Sequence, residues 1–142
     1  MFQRADLKHA REIAAIATEA FQNNRWTEGY VIHTMYRYCV YVLEEGSEAI
    51  GCLMSENMGP TSAYIAGVAI RANRRRMGNG RILLKHALKR LEDEKKKTLL
   101  LHTLSTNTPA IRLYESMGFK PTGNKKKFPG GSEEIEFIRT TP

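Results

Sequence analysis

The chain has 142 residues, of which 42% are hydrophobic and 26% charged, as is typical of one globular domain with a packed core. It shows no apolar run near the ~18–20 residues of a membrane span and no secretory signal, so we expect a cytoplasmic protein. Residues 1–70 carry five basic and eight acidic side chains, whereas residues 71–142 carry seventeen and seven, which indicates an anionic partner without identifying it.

The first half of the chain alternates between helix and strand patterns. Asp6 is a predicted helix N-cap, because apolar residues follow it at helical spacing as far as Phe21. The segment Asn23–Trp26 is expected to break that helix, and a second one is expected over Thr27–Tyr36. Four strands are predicted in this half: Phe2–Ala5, Tyr38–Glu45, Ala49–Glu56 and Ala63–Ile70.

The second half begins with the segment RRRMGNGR (Arg74–Arg81) and a long amphipathic helix whose apolar face includes Leu84 and Leu91. A short buried strand is expected over Thr98–Thr103. The next helix is expected to have Thr108 as its cap, Pro109 at its first position and Gly118 at its end. A Gly- and Lys-rich loop, with lysines at 125–127, then leads to the last strand, 133–140. This order predicts an α/β layer fold with a mixed sheet.

The segment RRRMGNGR lies between a predicted strand and a predicted helix. Glycines at such a junction let the backbone turn tightly and approach a ligand, and the free N–H groups of a helix start bind anions. Gly78 and Gly80 therefore mark a candidate pyrophosphate site with Arg75, Arg76 and Arg81 as charge partners. The segment matches neither GxGxxG nor a nucleotide-triphosphate P-loop. A glycine turn with solvated arginines remains the alternative.

Two motifs carry a family resemblance. The segment Arg75–Gly80 matches the Arg/Gln-x-x-Gly-x-Gly/Ala signature of the GCN5-related N-acetyltransferase (GNAT) superfamily, and Ser105–Phe119 resembles its Asn-x-x-Ala-x-x-Leu-Tyr-x-x-x-Gly-Phe signature. Their order and separation also agree. The resemblance implies a single GNAT-type domain over residues 1–142. Its α/β (α+β) fold would have a mixed, mostly antiparallel sheet flanked by helices, with the fourth and fifth strands splayed apart.

The resemblance also implies an acetyl-CoA site. Val68 and Ile70 would pair through their backbone with the pantetheine arm, Gly78 and its neighbours would hold the pyrophosphate, and Asn107 would hydrogen-bond the cofactor. Core packing for the first two residues and helix capping for Asn107 remain alternatives. The full predicted set is Val68, Ala69, Ile70, Arg75, Arg76, Met77, Gly78, Asn79, Gly80, Arg81 and Asn107.

The implied reaction is direct transfer of an acetyl group to a primary amine: a protein N-terminus, a lysine or a small amine. Tyr114 occupies the family's general-acid position. Because a phenol (pKa about 10) is a weaker acid than a thiol (about 8.5), a hydrogen bond to the leaving thiolate is at least as favourable as complete proton donation. The alternative role for Tyr114 is packing beside Ala110 and Met117.

The general base is less defined. Tyr64 stands where histone-type members have a glutamate, so that base is absent. His102 stands where members resembling the ribosomal-protein N-terminal acetyltransferase have one, and imidazole suits proton transfer near neutral pH. A solvent-facing His102, a water chain, or a weaker contribution from Glu56 remain alternatives.

Other residues and functions complete the expectations. His9, His33 and His86 are expected at the surface, and neither histidines nor cysteines have metal-site spacing. Trp26, with Phe21 and Tyr30, falls where the family shapes its acceptor site, although core packing explains these aromatics equally well. A homodimer is expected by family habit, and membrane or nucleic-acid partners are not. The rival functions are a basic RNA-binding module and a GNAT-fold acyl-CoA sensor without turnover.

Overall fold

A computed structural model describes residues 1–21 and 25–141 and contains a seven-stranded sheet flanked by four α-helices. The strands are β1 (Phe2–Arg4), β2 (Cys39–Glu45), β3 (Glu48–Gly59), β4 (Ser62–Ile70), β5 (Thr98–Leu104), β6 (Lys120–Lys127) and β7 (Glu133–Thr140). The helices are α1 (Ala10–Phe21), α2 (Glu28–Arg37), α3 (Asn79–Asp93) and α4 (Thr108–Ser116). None of the described helices is long and apolar enough to cross a membrane.

The spatial order of the strands is β1-β2-β3-β4-β5-β7-β6. All described strand pairs are antiparallel except β4–β5. That pair is parallel because α3 crosses back along the sheet, so that β5 starts beside the start of β4. The predicted mixed, mostly antiparallel GNAT-like fold is therefore confirmed.

Two apolar cores cover the two faces of the sheet. Leu83, Leu88 and Leu91 of α3 belong to one core together with Tyr114 of α4. The other core contains Ile13 of α1, and Val31 of α2 adds to it. The α3/α4 face and the α1/α2 face are thus distinct surfaces, each able to present different chemistry where the sheet opens.

The sheet opens between β4 and β5. These strands pair only from Ser62 opposite Thr98 to Ile65 opposite Leu101, although β4 continues to Ile70. A bulge at the β3–β4 register shift leaves Ala66 without a partner on β3 at that point. Beyond it the two strands separate, as the family resemblance predicts, and the side of β4 that faces β5 is left open.

The predicted N-cap at Asp6 is confirmed: Asp6 caps a short 3₁₀ turn, Leu7–His9, that leads directly into α1. Three local expectations were wrong. His9, expected at the surface, is only 1% exposed, and its Nδ1 accepts the backbone N–H of Asp6 at 3.0 Å. Asn107, rather than Thr108, caps α4. The lysine-rich segment predicted as a loop is the edge strand β6, and part of the predicted break Asn23–Trp26 lies outside the described residues.

Candidate active site

The glycine-rich segment forms the N-terminus of α3. Gly78 is the N-cap and adopts φ 81°, a left-handed conformation that a glycine adopts without steric cost. The first intrahelical bond runs from the Ile82 N–H to the Gly78 carbonyl at 3.1 Å. Among described residues, the N–H groups of Asn79, Gly80 and Arg81 have no acceptor, so three aligned donors point outward at the positive end of the helix dipole.

The side chain of Asn79 fixes the segment from inside, since its Nδ2 donates to the Arg74 carbonyl at 2.9 Å. Arg81 reaches the far helix, where its guanidinium donates to Ser116 Oγ at 3.1 Å. Arg76 is exposed at φ 62°, and no described residue pairs with it. Neither guanidinium is paired with a carboxylate of the described residues, so both keep their full charge near the free N–H donors.

Much of the remaining arginine charge is neutralised within the chain. Arg71, Arg74 and Arg75 all lie against glutamates of the first half. The ion pairs are Arg71–Glu48 at 3.3 Å, Arg74–Glu45 at 3.6 Å, Arg75–Glu19 at 3.9 Å and Arg71–Glu12 at 4.0 Å. The opposite charges of the two halves thus partly serve to pair the halves with each other. Only part of the excess positive charge of the second half is available to an external anion.

The open side of β4 leads to this helix start. The Arg71 N–H bonds to the Ile50 carbonyl of β3, so the alternation of the strand turns the backbone groups of Ile70 and Val68 towards the gap. Arg75 Nε donates to the Ile70 carbonyl at 2.9 Å, which confirms that this carbonyl points away from β3. Ala69 instead directs its side chain into the core under α1. The backbone groups of Val68 and the N–H of Ile70 can therefore pair with an extended ligand, while the Ile70 carbonyl is bonded to Arg75.

Gly80 lies where α3, α4 and β4 meet. A Cβ atom there would stand 3.4 Å from Leu113 Cδ2 and 3.9 Å from Ile70 Cγ1, whereas a Cβ on Gly78 would meet nothing within 4 Å. The two glycines therefore act differently: Gly78 provides the left-handed turn, and Gly80 keeps the mouth of the gap narrow but open. Met77, between them and the arginines, is 66% exposed.

Asn107 stands at the start of α4 beside the end of β5. Its Oδ1 accepts the Ala110 N–H at 3.3 Å, which is the capping role considered as an alternative. No described residue accepts a hydrogen bond from its Nδ2. One side chain can thus cap the helix through its oxygen and offer an amide N–H to a ligand.

Tyr114 lies on α4 with its ring between two phenylalanines. The ring centroids lie 5.9 Å from Phe119 and 6.4 Å from Phe137, and the residue is 8% exposed. Burial raises the pKa of the Tyr114 hydroxyl to about 12, so it stays protonated and acts as a hydrogen-bond donor at neutral pH. No described group hydrogen-bonds that hydroxyl.

His102 is on β5, next to the point where β4 and β5 separate, and its ring lies between two polar side chains from the neighbouring strands. Its Nδ1 is 2.8 Å from the Tyr64 hydroxyl, and its Nε2 is 3.3 Å from Glu136 Oε2 on β7. Glu56 stands directly opposite Tyr64 on β3. The expected base candidate is therefore neither isolated nor fully solvent-facing: its side chain is 31% exposed and both ring nitrogens have partners.

The predicted aromatic group assembles on the α1/α2 face. Trp26 stacks at a tilt on Phe21 with centroids 5.5 Å apart and meets Tyr30 edge-on at 5.2 Å. A Cβ atom on Gly67 of β4 would lie 3.2 Å from the Phe21 ring, so this group covers β4 next to the gap. His33 and His86 are exposed, as expected.

Sequence reasoning missed Glu136 and the hydroxyl of Tyr64. The alternation of Glu134 and Glu136 with Ile135 and Phe137 shows which face the acids share. It does not show that Glu136 pairs with His102, because that depends on the register of β5 against β7, strands separated by a helix and another strand.

A further cavity of about 270 Å³ lies at the other end of α3, near Leu91 and Lys96. It is lined by side chains and contains none of the free backbone donors of the α3 start. The gap between β4 and β5, with the adjoining N-terminus of α3, is therefore the better candidate site for an acyl carrier.

Comparisons with known proteins agree with this geometry. Residues 9–119 match the family model described as the acetyltransferase (GNAT) family. The chain therefore belongs to the GNAT family of acetyltransferases. Over 66 residues it is 35% identical to the [ribosomal protein bS18]-alanine N-acetyltransferase of Escherichia coli K12. That match covers 46% of this chain and 45% of the relative, so the chain aligns with less than half of the relative's length.

Solved structures extend the likeness to nearly the whole chain. The ribosomal-protein-S18-alanine N-acetyltransferase of Escherichia coli superposes with a TM-score of 0.87 at 22% identity, covering 99% of this chain and 92% of that one. A GNAT family acetyltransferase from Elizabethkingia anophelis, solved with acetyl-CoA bound, superposes with a TM-score of 0.83 at 16% identity, covering 99% and 97%. At these identities the likeness establishes the fold.

Proposed function

We propose that this protein is an N-acetyltransferase that moves an acetyl group from acetyl-CoA directly to a primary amine, with the chain acting as one domain in the cytoplasm. The observation that carries the proposal is the continuous path from the backbone of Val68 and Ile70, which faces the gap without pairing with β5, to the free N–H donors at the start of α3. An extended amide arm suits the first part and a pyrophosphate suits the second. A GNAT relative with acetyl-CoA bound has the same fold.

The residues present fit a CoA thioester. Gly78, Asn79, Gly80 and Arg81 would hold the pyrophosphate through their N–H groups, with Arg76 and Arg75 adding charge. Val68 and Ile70 would bind the pantetheine amides, flanked by Ala69, and Asn107 would donate its free Nδ2. Met77 would lie at the edge of this site. When bound, acetyl-CoA supplies an acetyl group activated by a thiol leaving group.

Tyr114 is the proposed thiolate partner. Its hydroxyl remains protonated because burial raises its pKa to about 12. No described residue forms a hydrogen bond with it, so it is available to a ligand. A donor whose pKa is so far above that of a thiol, near 8.5, stabilises the departing sulfur by a hydrogen bond rather than by complete proton transfer. His102 is the proposed source of general-base catalysis.

For the acceptor we propose the α-amine of a protein or peptide. The name of the Escherichia coli relative, an alanine N-acetyltransferase, supports this class. Chemistry agrees, since an α-amine with a pKa of about 7.7–8.0 is largely available as the neutral nucleophile near pH 8, whereas a lysine near 10.4 is not. Lysine and small amines are the alternatives that the assay must separate.

The test is a free-thiol release assay with acetyl-CoA and three acceptors: an alanine-terminated peptide, an N-blocked lysine peptide and spermidine. We expect release with the first, and mass spectrometry should locate the acetyl group on its α-nitrogen. Binding of acetyl-CoA without thiol release from any acceptor would favour the sensor. A salt-dependent shift with RNA, without thermal stabilisation by acetyl-CoA, would favour the RNA-binding module.

A homodimer is the last part of the proposal, and the family resemblance alone supports it. Pairing through β6 is disfavoured, because that edge strand carries lysines at positions 120 and 125–127 and is exposed along its whole length. Light scattering at micromolar concentration tests the dimer, and a single species near 16.1 kDa would contradict it.

A further inference from the structure

We propose that the base of this acetyltransferase is a three-residue relay in which Tyr64 Oη takes the proton of the acceptor amine. Tyr64 passes its own proton to His102 Nδ1, and Glu136 holds the imidazole in place. The inference rests on the proposed function and deepens it. It makes Tyr64 the catalytic residue that meets the substrate and Glu136 a positioning residue that acts through His102.

Both ring nitrogens of His102 are already engaged, which decides the order of the relay. Nδ1 faces the Tyr64 hydroxyl at 2.8 Å, and Nε2 faces Glu136 Oε2 at 3.3 Å. An amine therefore has no free ring nitrogen to approach. The phenolic oxygen of Tyr64 still has acceptor capacity while it donates to the ring, so it is the group that can receive a proton from outside.

Glu136 fixes the tautomer that such a relay needs. Its Oε1 accepts hydrogen bonds from Thr122 Oγ1 and Asn124 Nδ2, each at 2.9 Å, and Oε2 is left for His102. Hydrogen bonds from Asn124 and Thr122 lower the pKa of the Glu136 carboxyl, so it is ionised at neutral pH. An ionised acceptor requires the ring proton on Nε2, which leaves Nδ1 as the acceptor of the Tyr64 hydroxyl.

The relay lies at the closed end of the gap, where β4 and β5 begin to separate. The last β4–β5 pair is Ile65 with Leu101, and Tyr64 pairs with Leu100 just before it. The Tyr64 hydroxyl extends past that last pair to His102. Its neighbours on the strand, Ala63 and Ile65, face the α3/α4 core that contains Tyr114. Strand alternation puts Tyr64 on the opposite face, so the relay and Tyr114 approach the gap from different sides of the sheet.

The proton balance closes without another reactant. The amine nitrogen forms the C–N bond as the C–S bond of the thioester breaks, and the sulfur leaves with the electron pair. The proton lost by nitrogen goes to Tyr64 Oη as the Tyr64 proton goes to Nδ1, giving an imidazolium beside the Glu136 carboxylate. The His102 side chain, 31% exposed, then releases that proton to water.

The surroundings favour passing the proton over forming a tyrosinate. Burial and then the nearby carboxylates Glu134, Glu136 and Glu56 raise the pKa of Tyr64, with a smaller contribution from Tyr38. These groups face the pair from β7, from β3 and from the residue before β2. Tyr64 therefore keeps a proton at every stage, and the charge rests on His102 next to Glu136.

The first test needs no substrate. Nitrogen-detected NMR on protein labelled at histidine reports which ring nitrogen of neutral His102 carries the proton, with His102→Gln identifying the signals. The relay requires the Nε2–H tautomer. A predominantly Nδ1–H ring would overturn the proposal whether or not the protein acetylates anything.

The second test is kinetic and uses the alanine-terminated peptide, the lysine peptide or spermidine, whichever releases thiol from acetyl-CoA. Tyr64→Phe and His102→Gln should each lower kcat about 100-fold with little change in the KM for acetyl-CoA. Because the two residues act as one unit, the double variant should fall no further than the slower single variant. Glu136→Gln should lower kcat about tenfold.

Glu133→Gln is the matched control. It removes a carboxylate from the same strand, but Glu133 pairs with Lys125 of β6 at 4.0 Å and is not among the groups that contact His102 or raise the pKa of Tyr64. We expect its kcat to stay within twofold of the wild type. Normal turnover in Tyr64→Phe, measured as thiol release, would overturn the relay proposal and leave the acetyltransferase assignment intact. No thiol release by the wild type with any of the three acceptors would overturn both assignments.

Discussion

Tyr114 shows how much of a residue's chemistry is set by burial. A solvated phenol titrates near 10, but the ring packing against Phe119 and Phe137 raises the pKa of this hydroxyl to about 12. Replacement by phenylalanine keeps those contacts and removes one donor. We expect Tyr114→Phe to lower kcat by roughly 10–1,000-fold, as loss of one oxyanion donor does, while acetyl-CoA affinity barely changes. Steady-state kinetics and calorimetry on the same preparation measure both quantities.

The stability of the variant distinguishes the two roles of Tyr114. Since the hydroxyl has no described partner, its loss should leave the melting temperature within a few degrees of the wild type. Near-normal turnover with a changed melting temperature would identify Tyr114 as a core residue. That result would leave the assignment of the cofactor site unchanged, because it rests on the N-terminus of α3.

At this scale the sequence was informative wherever a motif fixed the position. Tyr114, Asn107 and the α3 glycines were predicted from the family resemblance, whose two motifs each lie within one turn or one helix. Glu136 was not, because it meets His102 across a strand pair, and only the folded register brings the two residues together. His9 was also expected at the surface, but the fold buries it beside β2, with 3.7 Å between His9 Nε2 and Glu44 Oε2.

At the level of elements, the close approach of α3, α4 and β4 makes Gly80 a sensitive position. Gly80→Val would direct methyl groups towards Leu113 and Ile70 at the mouth of the gap. We expect at least tenfold weaker acetyl-CoA binding by calorimetry, about 1.4 kcal/mol. Gly80→Ala, whose Cβ makes an ordinary 3.4 Å contact, should fold normally and lose less affinity.

Gly29→Val is the control for that series, because Gly29 lies on α2, where an added Cβ atom would meet nothing within 4 Å. It should bind acetyl-CoA as the wild type does. Unchanged affinity in a folded Gly80→Val protein would contradict the assignment of the α3 start as the pyrophosphate site.

The start of α4 allows capping and ligand binding to be separated. Asn107→Ser retains an oxygen that can accept the Ala110 N–H but removes the amide donor, whereas Asn107→Ala removes both. We expect the alanine variant to lose about 1 kcal/mol of unfolding free energy and the serine variant to lose little. Both should bind acetyl-CoA more weakly if Nδ2 contacts the ligand. Urea unfolding and calorimetry measure the two effects, and full affinity in both variants would leave Asn107 with capping alone.

Element types were predictable wherever periodicity was strong, as in α1, α3 and β4. Element ends and the edge strand were not. The β6 segment has lysines and glycine where strands usually have β-branched residues, so propensity favours a loop. It pairs because β7 offers a free edge, a tertiary effect that local sequence does not encode.

For the whole molecule, the buried acidic groups predict loss of stability at high pH. Burial raises the pKa of the Cys52 thiol to about 12 from an ordinary value of 9.0, and the residue is 1% exposed. The unfolded chain releases this proton above pH 9 while the folded chain keeps it until about 12. The contribution of Cys52 to stability is therefore complete below pH 9 and is lost as the pH rises, by up to about 1.4 kcal/mol per pH unit.

We therefore expect the free energy of urea unfolding, measured under reducing conditions, to fall by about 2 kcal/mol more in the wild type than in Cys52→Ala between pH 8 and pH 10.5. The alanine variant starts less stable because it loses packed volume, but its profile should be flatter.

Tyr114→Phe should flatten the stability profile only above pH 10, because the pKa of this hydroxyl is raised from 10.0 to about 12 and only that pH range is affected. Cys39→Ala, which removes a thiol that is only partly buried, is the control and should follow the wild-type slope. Parallel profiles for the wild type and Cys52→Ala would show that thiol ionisation does not drive the alkaline transition, and repulsion above the isoelectric point near 9.6 would then be the remaining cause.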